Sequence, residues 1–209
     1  MKNAKKVLLL VLCAVLLVGA SVAGTVAYLT DKDDVTNTFT VGKVYITMDE
    51  AKTDTAGNAL TGADAGRDKT NTYNLIPGHT YLKDPTIHIE AGSENCWVFV
   101  EVKNEIAAIE DDVIKIANQI TTTNNWTLFH TAGDTSIYYK DWDPTMGNDL
   151  VVFSQFKIDE AVTNDTLNGG EGATTGGYNG KSVVVNAYAI QRDALATAEA
   201  AWNALNPTP

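Results

Sequence analysis

Apolar and polar positions divide the chain into one continuous apolar run, a series of short alternating segments, and stretches with neither pattern. The continuous run is Val7 to Val18, preceded by Lys2, Lys5 and Lys6 and followed by small residues. It is shorter than the roughly 20 residues of a membrane-spanning helix, and its layout is that of an export signal. From Val35 the odd positions Val35, Phe39 and Val41 alternate with Thr36, Thr38 and Thr40, the period of two of a half-buried strand. After Gly42 the apolar phase moves to Val44, Ile46 and Met48, which predicts a bulge or bend at the glycine.

Residues 49–72 are small and polar and predict a long loop. A strand from Tyr73 ends at the turn Pro77-Gly78, and Lys83 to Glu90 alternates again, with Ile87 and Ile89 opposite Thr86 and His88. Cys96 to Val102 is apolar at nearly every position, so it is expected to be covered on both faces. Ile106, Ile109, Val113, Ile116 and Ile120 recur at helical spacing and predict an amphipathic helix over 105–120, although Ile and Val also favour strands. Trp126 to His130, Ile137 to Lys140, Leu150 to Ile158 and Ser182 to Ile190 complete the expected strands. A final helix over 193–206 would be N-capped by Asp193 and present Leu195, Ala198, Trp202 and Leu205 on one face. Roughly eight short strands with long loops and few helices indicate a mainly β chain, an antiparallel sandwich.

Charge and cysteine content narrow the possible partners. Small-x-small cleavage signals end at Ala23 and at Ala27, and Cys13, inside the apolar run after bulky Leu12, does not fit a lipidation site. The same segment left uncleaved would serve as a membrane anchor. Removal of residues 1–27 takes 3 of the 15 basic residues and no acid, leaving 12 against 26 acidic, a net charge of −14. Such a chain disfavours nucleic acid and anionic lipid as partners. Residues 28–209 suffice for one domain with a core, and Cys96 alone remains, so no internal disulfide forms.

Four stretches carry a family resemblance. They are A-Y-L-T-D followed by N-T-F-T-V-G-K-V (residues 27–44); L-I-P-G, K-D-P-T-I-H-I and W-V-F-V-E-V (75–102); Y-Y-K with L-V-V-F (138–153); and A-Y-A-I-Q before an A-x-A-A-W helix (187–202). Together they resemble the TasA/camelysin family, whose members are exported in Gram-positive bacteria through a dedicated signal peptidase. The resemblance implies cleavage between Ala27 and Tyr28, a jelly-roll-like sandwich with added helices and loops, and assembly into extracellular fibres of a biofilm matrix. Its implied partners are that peptidase and other copies or related matrix proteins, with membrane contact only through an uncleaved signal. No wall-sorting motif or hydrophobic tail follows Pro209, so covalent wall attachment is not expected.

Strand 28–41, placed at a new N-terminus, is expected either to fold back into its own sheet or to add to a neighbour's, with Val35, Phe39 and Val41 filling an acceptor groove. Camelysin-like relatives are classed as metallopeptidases, which makes a surface metalloprotease the competing expectation. The chain has no H-E-x-x-H, and its histidines, His79, His88 and His130, are scattered. No nucleophile elbow or phosphate loop is present, and no cofactor is expected. The loop containing Asp141, Asp143 and Asp149 spaces oxygen ligands in a way that makes them calcium candidates, without the EF-hand's terminal glutamate. A third expectation is an adhesin or binding module using an exposed aromatic such as Trp142.

Overall fold

The structure is a computed structural model that describes residues 6, 11–16, 43–170 and 177–205. The chain divides into two compact units, Met1–Thr40 and Val41–Pro209. In the first, Lys6 and Val11–Leu16 are helical with exposed side chains. Ala27, Tyr28, Val35, Phe39 and Val41 lie outside the described residues, so the expected cleavage point and exchangeable strand do too.

The second unit is mainly β, with antiparallel sheets and a few short helices. Ten strands are described: β1 (Ile46–Ala51), β2 (Arg67–Asp68), β3 (Thr80–Leu82), β4 (Thr86–Ile89), β5 (Cys96–Asn104), β6 (Thr127–Ala132), β7 (Thr135–Trp142), β8 (Asp149–Val151), β9 (Gln155–Lys157) and β10 (Val183–Gln191). They form two four-stranded sheets, β2-β1-β4-β8 and β10-β5-β7-β6, and the pair β3-β9. Both large sheets contribute to one core, where Ile87, Ile89 and Leu150 meet Val98, Val100 and Val102.

β5 shows why an unbroken apolar run folds as it does. Its even positions from Cys96 to Val102 enter that shared core, while Trp97 and Phe99 project from the opposite face. That second face is closed by the helix Ala198–Leu205: Ala198 and Ala201 are buried there, and Phe99 lies 5.1 Å from the Trp202 ring. Trp97 Nε1 donates to Leu195 O at 2.8 Å, which fixes the turn leading into the helix. The helix begins later than its sequence suggests, with Thr197 rather than Asp193 capping it through Ala200 N–H.

Three expected elements are broken. Residues 105–120 form a 3₁₀ turn (Ala107–Ile109), a single α turn (Ile116–Asn118) and a π turn (Gln119–Thr123) in place of one helix. Asp111 accepts from Val113 and Ile114 N–H while its own N–H donates to Lys157 O, so the backbone bonds across the fold instead of along a helix. Ile106, Ile109, Ile116 and Ile120 are still buried, and Val113 is 81% exposed.

The segment Leu150 to Ile158 splits into β8 and β9, which pair with β4 and β3. Side chains satisfy the backbone at the break: Trp126 and Asn124 donate to Val151 and Val152 O, and Gln119 accepts from Ser154 and Gln155 N–H. Tyr73 to Ile76 is irregular because Tyr81 Oη takes its backbone, accepting from Ile76 N–H and donating to Asn74 O. Finally, 49–72 is less loop-like than its composition implies, since β1 runs on to Ala51 and β2 pairs with it.

Candidate assembly site: an open sheet edge over a polar floor

β10 pairs with β5 along all nine residues, from Val183 opposite Asn104 to Gln191 opposite Cys96, and among the described residues it has no strand on its other side. β1 is similar on one flank, because β2 reaches only Glu50 and Ala51 and leaves Ile46–Met48 paired with β4 alone. These two edges, unpaired among the described residues, border one cleft of about 700 Å³, into which Ile46, Met48, Val183, Val185 and Ala187 bring apolar surface. A second cleft of about 630 Å³ adjoins it and shares Asn71, Lys83, Ser182 and Val183. An uncovered, apolar edge of this length is a template for another strand.

Beneath the shared part of the clefts sits a polar trio, Glu50 and Lys83 buried and Asn71 half-buried. Glu50 and Lys83 are 4% and 9% exposed, and Lys83 Nζ lies 2.6 Å from Glu50 Oε2. Asn71 Nδ2 donates to the other carboxylate oxygen at 2.9 Å and to Ala51 O at 2.9 Å, while Asn71 Oδ1 accepts Thr53 N–H at 3.0 Å. Three segments supply these groups: Glu50 the penultimate residue of β1, Lys83 the residue that follows β3, and Asn71 the segment between β2 and β3. Tyr73 stands beside them, its phenol pushed up to about 12 by burial and then by the Glu50 charge.

On the outer face of β1 and β4, Asp49 bonds to Arg67 and to His88, Arg67 also pairs with Asp84 at 2.9 Å, and His88 Nδ1 faces Asp149 at 2.7 Å. Hydrogen bonds to Asp49 and then Asp149 raise the His88 pKa. Burial opposes ionisation of Asp49, yet Arg67 and His88 together hold it below the usual carboxylate range.

The three calcium candidates are not brought together. Asp141 pairs with Arg192 at 2.6 Å, Asp143 caps Thr145 N–H at 2.8 Å, and Asp149 holds His88. Among the described residues no group of three or more His, Cys, Asp or Glu side chains is placed to hold a metal ion. His79 Nε2 donates to Ala56 O at 2.7 Å and its ring packs edge-on against Tyr81, and His130 is exposed on β6. Trp142, expected as an exposed aromatic, is 1% exposed and donates to Gly147 O. The Cys96 thiol is fully buried and pushed up to about 11 by burial and then by Asp141.

Reading the sequence missed the Glu50, Lys83 and Asn71 trio, because two of its members fall in the stretch assigned to a loop. The available signal was Lys83 itself, a lysine at the head of an expected strand that the structure buries beside Glu50.

The fold and edge define a class, an antiparallel β protein whose nine-residue strand β10 has, among the described residues, one unpaired edge beside a cleft. Compared with known proteins, the chain matches no family model, no curated protein and no solved structure. Among the described residues no helix is long and apolar enough to cross a membrane.

Proposed function

We propose that this is an exported structural protein of a Gram-positive cell surface or biofilm matrix, non-enzymatic, whose copies join into fibres by β-strand addition. The observation that carries the reading is the edge of β10 beside its cleft, unpaired among the described residues. A strand added there gains main-chain hydrogen bonds, and its alternate side chains enter the apolar groove. Segment 35–41 supports this with an alternating pattern, Val35, Phe39 and Val41 at odd positions, interrupted by Asn37, and Thr36, Thr38 and Thr40 at even ones. Donation from one copy to the next is a contact that does not close on itself, so it propagates as a filament.

The TasA/camelysin resemblance supports the same reading, together with its finer architecture, a jelly-roll-like sandwich built on the two four-stranded sheets. Export through the dedicated peptidase would expose Tyr28 as the first residue and place the donor strand at a free end. The charge of −14 on residues 28–209 keeps single copies apart until the edge is engaged.

Size-exclusion chromatography with light scattering on a chain starting at Tyr28 and one starting at Lys43 tests the proposal. The longer chain is expected to polymerise and the shorter to stay monomeric. Two monomeric chains across all salt and pH conditions would overturn it.

A further inference from the structure

We propose that Lys83 and Asn71 become joined by an intramolecular amide bond, with Glu50 as the catalytic proton carrier. The proposal does not depend on the assembly reading. A buried ion pair needs only Lys83 and Glu50. Here a third group, the Asn71 carboxamide, is fixed at both ends, its nitrogen on Glu50 Oε1 and Ala51 O and its oxygen on Thr53 N–H. One carboxylate thus touches both the amine that would attack and the nitrogen that would leave. Holding reacting groups in this way replaces a slow encounter with a positioned one.

The reaction balances with no added reagent. A proton passes from the Lys83 ammonium to Glu50 Oε2 across 2.6 Å, which neutralises two charges that burial disfavours. The free Nζ pair then attacks Asn71 Cγ and forms the new C–N bond. The carbonyl electrons move onto Oδ1, where Thr53 N–H, 3.0 Å away, stabilises the developing negative charge. When the intermediate collapses, the Cγ–Nδ2 bond breaks with its electrons on Nδ2. Glu50 delivers its proton there and takes up the one still to be lost from Nζ. Ammonia is the sole by-product, and both clefts, which Asn71 and Lys83 border, give it a way out. The bond would tie the polar segment before β3 to the end of that strand, under the open edge.

Tryptic mapping of the purified full chain reads the bond directly. Trypsin cuts after Lys69, Lys83 and Lys103, so an unjoined chain yields peptides 70–83 and 84–103. The joined chain is expected to resist cleavage at Lys83 and to give 70–103, lighter by one ammonia, with fragmentation placing the link between Asn71 and Lys83. Lys83→Arg, which keeps the cation, and Glu50→Gln are each expected to restore the full mass of the Asn71 peptide while circular dichroism reports their fold. Separate wild-type peptides at full mass overturn the proposal and leave an ion pair only. Loss of ammonia that persists in Lys83→Arg also overturns it, because the asparagine would then have cyclised on its own backbone. Should a variant fail to fold, the wild-type digest decides alone.

Discussion

Glu110 offers a quantitative test of how the core is built. It is 6% exposed, its Oε2 accepts from Asn104 Nδ2 at 3.2 Å and its Oε1 from Ile116 N–H at 3.3 Å, and burial pushes its carboxyl from 4.5 up to about 7. The folded state therefore holds the proton more tightly than the unfolded chain. The stability this gives is present below pH 4.5 and is lost as pH rises through 7. At about 1.4 kcal/mol per pH unit the full interval is worth about 3.5 kcal/mol, of which about 2.5 is gained between pH 8 and pH 5. Glu110→Gln removes the charge but offers one acceptor where the carboxylate offered two, at a cost of about 1 kcal/mol. The variant should be about 2 kcal/mol more stable than the wild type at pH 8 and no more stable at pH 5. Urea unfolding followed by tryptophan fluorescence measures both. Carboxylates held low, such as Asp49 and Glu105, titrate below this window, and His88 affects both proteins alike. An equal stability difference at the two pH values would refute the reasoning.

His88, between Asp49 and Asp149, has a raised pKa, so its contribution is complete below 6.5 and fades as pH rises through the folded value. His88→Gln is expected to lose about 1 kcal/mol at pH 5.5 and close to nothing at pH 9, read by the same unfolding assay. Gly57, at φ +79°, would set a Cβ 2.8 Å from Tyr81 Cα, so Gly57→Ala should cost about 2–4 kcal/mol. Gly133→Ala, at φ +62° with open space around it, should cost about 1 kcal/mol, and equal losses would contradict the packing argument. Ala187→Trp places a large ring in the cleft beside β10 and is expected to block polymer formation while leaving the circular dichroism spectrum unchanged. Undiminished polymerisation would move the acceptor site elsewhere.

The apolar pattern by itself marked strands over 83–90, 96–102 and 182–190, close to the observed β4, β5 and β10; alternation gave the first and the common phase of Val44, Ile46 and Met48, and an unbroken apolar run gave the double coverage of β5. These features depend on residue type and on its order along a few neighbouring positions, and both are local. The helical spacing of Ile106, Ile109, Ile116 and Ile120 correctly marked buried positions and wrongly implied a helix, since spacing registers which side chains go inside and not where the backbone bonds. Only the tertiary structure decided that Asp111 and Lys157 would share a backbone bond, or that Gln119, Asn124 and Trp126 would serve the break between β8 and β9. The trio depends on the same kind of closure. Glu50 meets Asn71 and Lys83 from 21 and 33 positions away, in segments whose own composition says loop and strand end. Burial made their shared carboxylate chemically significant, because charges that water would screen at the surface must find partners in the interior.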